Sequence, residues 1–175
     1  QSYINSFITS LYDHSDIKRI EEGLKNITRL LISYNTAIAN KGGQPVVQYV
    51  YGFILEDGNY RAASYFLQQT KSLYPKDKAM LAAMQVSLED KLVDLLTQAP
   101  KDELSLDLAE TFLAIAPNNK KLIQLEQNLY VDVLKAYAAQ NSFAHFNTVA
   151  YRGLERYPAH PTMMQLKKEM VIKDY

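Results

Sequence analysis

The chain has 175 residues, of which 47% are hydrophobic and 22% are charged, a composition typical of a folded globular protein and long enough for one domain over residues 1–175. Nineteen basic residues balance nineteen acidic ones, so no net charge draws the chain to nucleic acid or to an anionic membrane. Cysteine is absent, which excludes disulfides, thiolate zinc sites and cysteine nucleophiles.

The first 40 residues predict an N-terminal helical hairpin or cap that includes a long helix. From Ile17 to Ile38, apolar residues follow one another at steps of three and four, which indicates a single narrow seam about six turns long. We favour packing of this seam within the chain, because a coiled coil usually sustains more heptads. The alternative is a dimerisation helix, which would make the chain a homodimer.

Residues 45–56 and 60–73 predict the first pair of helices. Pro45 suits a first helical turn, and Gly58 suits the tight turn between the two helices. Pro75 ends the second helix, because the residue before a proline is disfavoured in the helical region.

Two further helix pairs are predicted by the spacing of the prolines. Pro75, Pro117 and Pro158 lie 42 and 41 residues apart, and each ends a helical pattern and precedes a polar capping residue. Asp77 is the expected cap after the first proline, and Asn118 or Asn119 after the second. The stripes expected to be buried in the second pair are Leu81, Met84, Leu88, Leu92 and Leu95, followed by Leu104, Leu108, Phe112 and Ile115.

A last helix, within residues 160–175, has no partner and is expected to cap the stack. Strand alternation is not sustained anywhere in the sequence. The prediction is therefore an all-α fold of about nine helices, arranged as a superhelical stack of antiparallel helix pairs.

The first pair resembles a tetratricopeptide repeat (TPR). Gly58-Asn59-Tyr60 matches the turn of that family, Ala63 matches its small residue, and Pro75 lies at the family's distance from Gly58. The resemblance implies three TPR-like pairs over residues 45–158, with repeats of 41–42 residues instead of about 34. A HEAT-type α-solenoid is the alternative, since its period of about 40–47 residues fits equally well.

Resemblance to TPR modules implies that a groove lined by the first helix of each pair docks another protein or a peptide. The polar residues that would face the groove are Gln48, Gly52, Glu56, Gln85, Glu89, Asn128, Asp132 and Lys135. Gln48 and Gly52 occupy the positions of the family's clamp for carboxy-terminal peptides. Recognition of chaperone tails is therefore not implied.

Motifs of catalysis are missing from the sequence. It contains no glycine-rich phosphate loop, no Gly-x-Ser-x-Gly elbow and no His-Glu-x-x-His helix. His14, His145 and His160 lie far apart, at helix boundaries, and are interpreted as surface or capping residues. We predict no enzyme activity, no cofactor and no metal. The basic cluster Arg152, Arg156, Lys167 and Lys168 is interpreted as a solvated helix face.

The sequence thus predicts a non-catalytic protein–protein interaction module or scaffold. Its alternatives are self-association through the Ile17 to Ile38 helix, or a helical ligand-binding domain of a larger envelope protein. No run of roughly eighteen apolar residues is present, so direct membrane insertion of this segment is not expected. The lack of cysteine and the start at Gln1, which suggests a processed or excised piece, favour a bacterial periplasmic or envelope protein, with the cytoplasm as the alternative.

Overall fold

The structure, a computed structural model, describes the backbone of residues 44–173 and the side chains of residues 47–173. Seven α-helices and no strand occupy this part of the chain. They are α1 (Gln44–Glu56), α2 (Tyr60–Leu73), α3 (Lys78–Gln98), α4 (Glu103–Ile115), α5 (Lys120–Ala139), α6 (Phe143–Arg156) and α7 (Pro161–Lys173). The all-α prediction is confirmed for these residues. The hairpin predicted within residues 1–40 lies outside the described residues, so the total of nine helices stays a prediction.

The chain divides into two compact units, the first ending at Leu92 and the second beginning at Val93, so the boundary lies within α3. In the first unit α1 packs against α2. In the second unit α5 packs against α4 and α6, and α7 contacts both α5 and α6. None of the helices described here combines the length and apolar character needed to cross a membrane. The single domain expected from the sequence remains a prediction.

The three spaced prolines lie in turns of the same geometry. The residue before each proline has φ between −124° and −134° and ψ between 56° and 73°, outside the helical region; these residues are Tyr74, Ala116 and Tyr157. Each donates its amide to the carbonyl four residues earlier, which closes the helix. Each carbonyl in turn accepts a hydrogen bond from the amide three residues later. The helices therefore end where the prolines predicted.

The second residue after each proline caps the next helix with its side chain. Asp77 Oδ1 accepts a hydrogen bond from the amide of Met80 (3.2 Å). Asn119 Oδ1 accepts one from Leu122 (3.0 Å), and His160 Nδ1 accepts one from Met163 (3.3 Å). These bonds satisfy amides that the first turn of a helix leaves without an intrahelical partner. The predicted caps Asp77 and Asn119 are confirmed, and so is the capping role expected of His160.

The turn between α1 and α2 is also the one predicted. Gly58 has a φ of +74°, which glycine adopts without strain, and the Asn59 side chain accepts a hydrogen bond from the amide of Ala62 at 3.1 Å. The hydroxyl of Tyr51 donates to the carbonyl of Met84 at 2.6 Å and so ties α1 to α3 within the first unit. Burial raises the pKa of Tyr51 above its ordinary value.

The buried stripes of α3 and α4 differ from the predicted ones. In α3 the buried residues are Met80, Met84, Leu88, Leu92 and Leu96, so Leu81 and Leu95 lie beside the stripe. In α4 they are Ser105, Leu106, Ala109, Phe112 and Leu113. Leu104 is 78% exposed, because it lies roughly 140° around the helix from Ala109 at 100° per residue. The prediction that Leu104 is buried is wrong.

At Gly153 the helix α6 comes unusually close to its neighbours. A Cβ atom at this position would lie 2.7 Å from Sδ of Met163 and 3.0 Å from Cδ1 of Tyr130. Carbon atoms do not approach so closely without a shift of the surrounding structure. Gly153 is therefore the point where α5, α6 and α7 meet.

Candidate interaction surfaces

None of the eight residues predicted to bind a partner is buried. Four are exposed and four are half-buried, on α1, α3 and α5: Gln48, Gly52, Glu56, Gln85, Glu89, Asn128, Asp132 and Lys135. On α5 these residues lie on the side opposite the buried stripe, as their helical spacing predicted. On α1 Glu56 lies opposite the stripe, whereas Gln48 borders it next to Leu55.

Several of these eight residues already contact a polar side chain. The side-chain amide of Gln85 donates through Nε2 to Glu89 Oε2 at 3.3 Å. Asp132 forms an ion pair at 3.1 Å with Lys101, which precedes α4, so part of its charge is already matched. Asn128 accepts a hydrogen bond from Gln124 at 2.9 Å, so Gln85, Glu89, Asn128 and Asp132 all bond to a neighbouring polar side chain.

A network of charged side chains, which the sequence did not predict, joins α6 to α4. Arg152 of α6 donates through Nη2 to Asp107 Oδ1 at 2.6 Å and through Nε to Glu110 Oε1 at 2.8 Å. The hydroxyl of Tyr130, on α5, donates to the same oxygen of Glu110 at 3.2 Å. The hydrogen bond from Arg152 lowers the pKa of Glu110, and burial opposes this shift without cancelling it.

Replacing Glu110 by glutamine is expected to destabilise the protein at pH 7, and this destabilisation should decrease as the pH falls below the ordinary range of a glutamate. Because the folded state lowers the pKa of Glu110, its stabilisation is complete above the unfolded pKa of about 4.3 and is lost as the pH falls through the lower folded value. The side chain is 36% exposed, so solvent screening limits the difference to about 1 kcal/mol. Urea denaturation between pH 7 and pH 2.5 measures it.

The control for this prediction is Glu155→Gln, since Glu155 is exposed on α6 and has no ion pair within residues 47–173. This variant should match the wild-type protein at every pH. A Glu110→Gln difference that stays constant from pH 7 to pH 2.5 would contradict the assigned ion pair.

A second set of contacts holds a fully buried carboxylate. Glu126 of α5 is 0% exposed, and its Oε1 accepts hydrogen bonds from Arg156 Nε and from the Tyr157 hydroxyl, each at 2.7 Å. Its other oxygen, Oε2, is buried without a hydrogen-bond partner among the described residues. Burial, together with the hydrogen bond to Glu126, raises the pKa of Tyr157. The Arg156 side chain is 34% exposed, so only the carboxylate is removed from water, and leaving such a buried charge without its cation is costly.

A cleft of about 440 Å³ lies next to these networks. Its lining residues are Glu110, Leu113, Ala114, Pro117, Ile123, Arg156 and Tyr157. The two charged residues of the wall already have partners, because Glu110 pairs with Arg152 and Arg156 pairs with Glu126. We conclude that these charges hold α6 against α4 and α5.

The interpretation of the basic cluster as a solvated face does not hold for Arg152 and Arg156, which form these ion pairs. The spacing of charged residues in the sequence did contain a signal for these ion pairs. The two arginines are four residues apart and share one face of α6, and Asp107 and Glu110 are three apart on α4. Matching the two faces required knowing that the helices are neighbours.

The described histidines lie where the sequence placed them, at helix boundaries. His145 bonds to Ser142 at 2.9 Å and stacks on Tyr137 with 5.3 Å between ring centroids, and His160 caps α7. His14 lies outside the described residues. Within residues 47–173 no group of three or more histidine, aspartate or glutamate side chains could hold a metal ion.

Comparison with protein-family models, with curated proteins and with solved structures gives no match for this chain.

Proposed function

We propose that this chain is a non-catalytic interaction module that docks a segment of another protein along the first helices of its helix pairs. The division of α5 into two sides carries the proposal. One side is buried against α4, α6 and α7, and the other presents Asn128, Asp132 and Lys135. A helix with a packed side and an accessible polar side suits the inner wall of a binding groove.

We further propose that the helix pairs form a TPR-like stack of about nine helices. Support comes from two observations on the described residues. The turns at Pro75, Pro117 and Pro158 share one geometry, as expected of equivalent positions in successive repeats. In addition, α7 packs against both helices of the pair before it, which is how each new helix joins a stack of hairpins.

The chemistry of the exposed faces favours a partner segment with polar groups of both signs. Glu56 and Lys135 are exposed and have no ion pair within residues 47–173. Tyr49, beside Gln48, is 39% exposed and supplies an aromatic surface, the residue type that often anchors an interface. Charge complementarity at such positions chiefly sets partner choice and association rate.

Charge reversal on the first helices tests this function. A partner recovered from native lysate is purified, and its affinity is measured by isothermal titration calorimetry for the wild-type protein and for Glu56→Lys, Glu89→Lys and Lys135→Glu. We expect at least one of these changes to weaken binding by about tenfold, equivalent to about 1.4 kcal/mol. Binding that survives all three changes would overturn the proposal.

Matched controls make the same chemical changes on second helices. Glu155→Lys on α6 and Lys71→Glu on α2 alter exposed residues outside the proposed groove, so they should leave the affinity within twofold. Self-association through the Ile17 to Ile38 helix is tested in parallel by light scattering. A mass that corresponds to two chains, and that falls on Leu24→Glu, would favour the alternative.

A further inference from the structure

The last described helix, α7, has two apolar stripes and buries only one of them. Met163 and Met170 are buried. Met164, Val171 and Ile172 lie seven and eight residues apart on another face and are 42%, 51% and 74% exposed. The second stripe of α7 is thus available to a binding partner.

This stripe forms one wall of a groove of about 590 Å³. The residues that line it are Leu154, Pro158, Met164, Lys167, Lys168, Val171 and Ile172. Both lysines are exposed, and neither has an acidic partner within residues 47–173. The groove therefore combines apolar walls with two positive charges and no negative charge in its lining.

We propose that the groove between the end of α6 and α7, lined by Leu154, Met164 and Ile172 and flanked by Lys167 and Lys168, binds an acidic amphipathic helix of another protein. The groove would bury the apolar face of that helix, and its carboxylates would pair with the lysines. This surface is separate from the first-helix faces. The inference rests on the proposed function only in that both make the chain an interaction module.

Charge argues against the two occupants that the chain itself could supply. A symmetric contact between two copies would place the same patch on both sides and bring Lys167 and Lys168 of each copy together. The chain's own apolar segment, residues 17–38, has four basic residues and only two acidic ones. A bilayer is an equally poor occupant, because an interfacial helix presents an apolar face to lipid and not a concave groove.

The dimensions define the expected partner motif. The stripe from Met164 to Ile172 covers nine residues of helix, and the eight steps of 1.5 Å between them give a length of about 12 Å. It can therefore contact two turns of a partner helix. Such a helix would present apolar residues at i, i+4 and i+7, with aspartate or glutamate beside them.

A designed peptide pair tests this proposal. Each peptide is a helix of about three turns with leucine at i, i+4 and i+7, flanked by glutamate in one peptide and by lysine in the other. Fluorescence anisotropy on the full chain should show binding of the glutamate peptide only, weakened as salt increases. Ile172→Gln should weaken binding about tenfold, and the double change Lys167→Glu with Lys168→Glu should reverse the preference between the peptides.

The control Lys120→Glu with Lys121→Glu changes two adjacent exposed lysines of α5 and should leave binding within twofold. Circular dichroism checks that every variant folds. The inference fails if the glutamate peptide does not bind, or if its binding is unaffected by the α7 variants. Stronger binding to phosphatidylserine vesicles than to the peptide, or a dimer that Ile172→Gln dissociates, would also overturn it. Loss of peptide binding on Glu56→Lys would instead assign the peptide to the first-helix faces.

Discussion

Replacing Arg156 by alanine is expected to lower the free energy of unfolding of the second unit by about 3–5 kcal/mol. Arg156 is the only cationic partner of Glu126 within the described residues, and Glu126 is fully buried. Without the guanidinium, the carboxylate would keep only the hydrogen bond from Tyr157. Urea denaturation, followed by circular dichroism and by tyrosine fluorescence, measures the loss, since the chain has no tryptophan.

Two comparisons make the Arg156 prediction specific. Arg61→Ala removes an exposed arginine of α2 and should change stability by no more than about 0.5 kcal/mol. In the Arg156→Ala background, the further change Glu126→Gln removes the unpaired charge and should restore part of the lost stability. An Arg156→Ala protein as stable as wild type, or no coupling between the two changes, would contradict the buried ion pair.

Replacing Gly153 by alanine is expected to destabilise the protein by about 1–3 kcal/mol, although alanine is the better helix former. The added methyl group would lie 3.0 Å from the ring of Tyr130 and 2.7 Å from the sulfur of Met163. Met163 can move, whereas the Tyr130 ring is fully buried, so α6 would be displaced from α5. Thermal and urea unfolding measure the effect.

Gly52 provides the same substitution in an open position. No atom lies within 4 Å of a Cβ built at Gly52 on α1, so Gly52→Ala should stabilise the protein by about 0.5–1 kcal/mol through helix propensity alone. The opposite signs expected for the two changes separate steric crowding from propensity. A stabilising Gly153→Ala would show that the helices have room to approach differently.

The helix ends were predictable because they depend on neighbouring residues. Pro75, Pro117 and Pro158 each end a helix, and the capping residues Asp77 and Asn119 act within three positions of themselves. Which side of α4 is buried could not be predicted as well from the sequence. Both the stripe through Leu104 and the stripe through Ala109 repeat at helical spacing, and only the packing neighbours select between them.

The buried ion pair could not be found from the sequence. Glu126 looks like any acidic residue on an amphipathic helix, and its partners follow 30 and 31 positions later. For the predicted binding residues, the three- and four-residue spacing in the sequence was enough to assign them to helix faces. Which of them a partner contacts depends on that partner's shape and charge, which this chain does not encode.

Tyr157 joins the end of α6 to the buried carboxylate of Glu126. Its backbone closes α6 before Pro158, while its hydroxyl reaches the buried carboxylate of Glu126. Leu154 and Pro158, on either side of Tyr157 in sequence, belong to the wall of the α6 and α7 groove. That wall is therefore preorganised by the hydrogen bond from Tyr157 to the buried Glu126. A ligand that enters the groove would spend little of its binding free energy on ordering this wall.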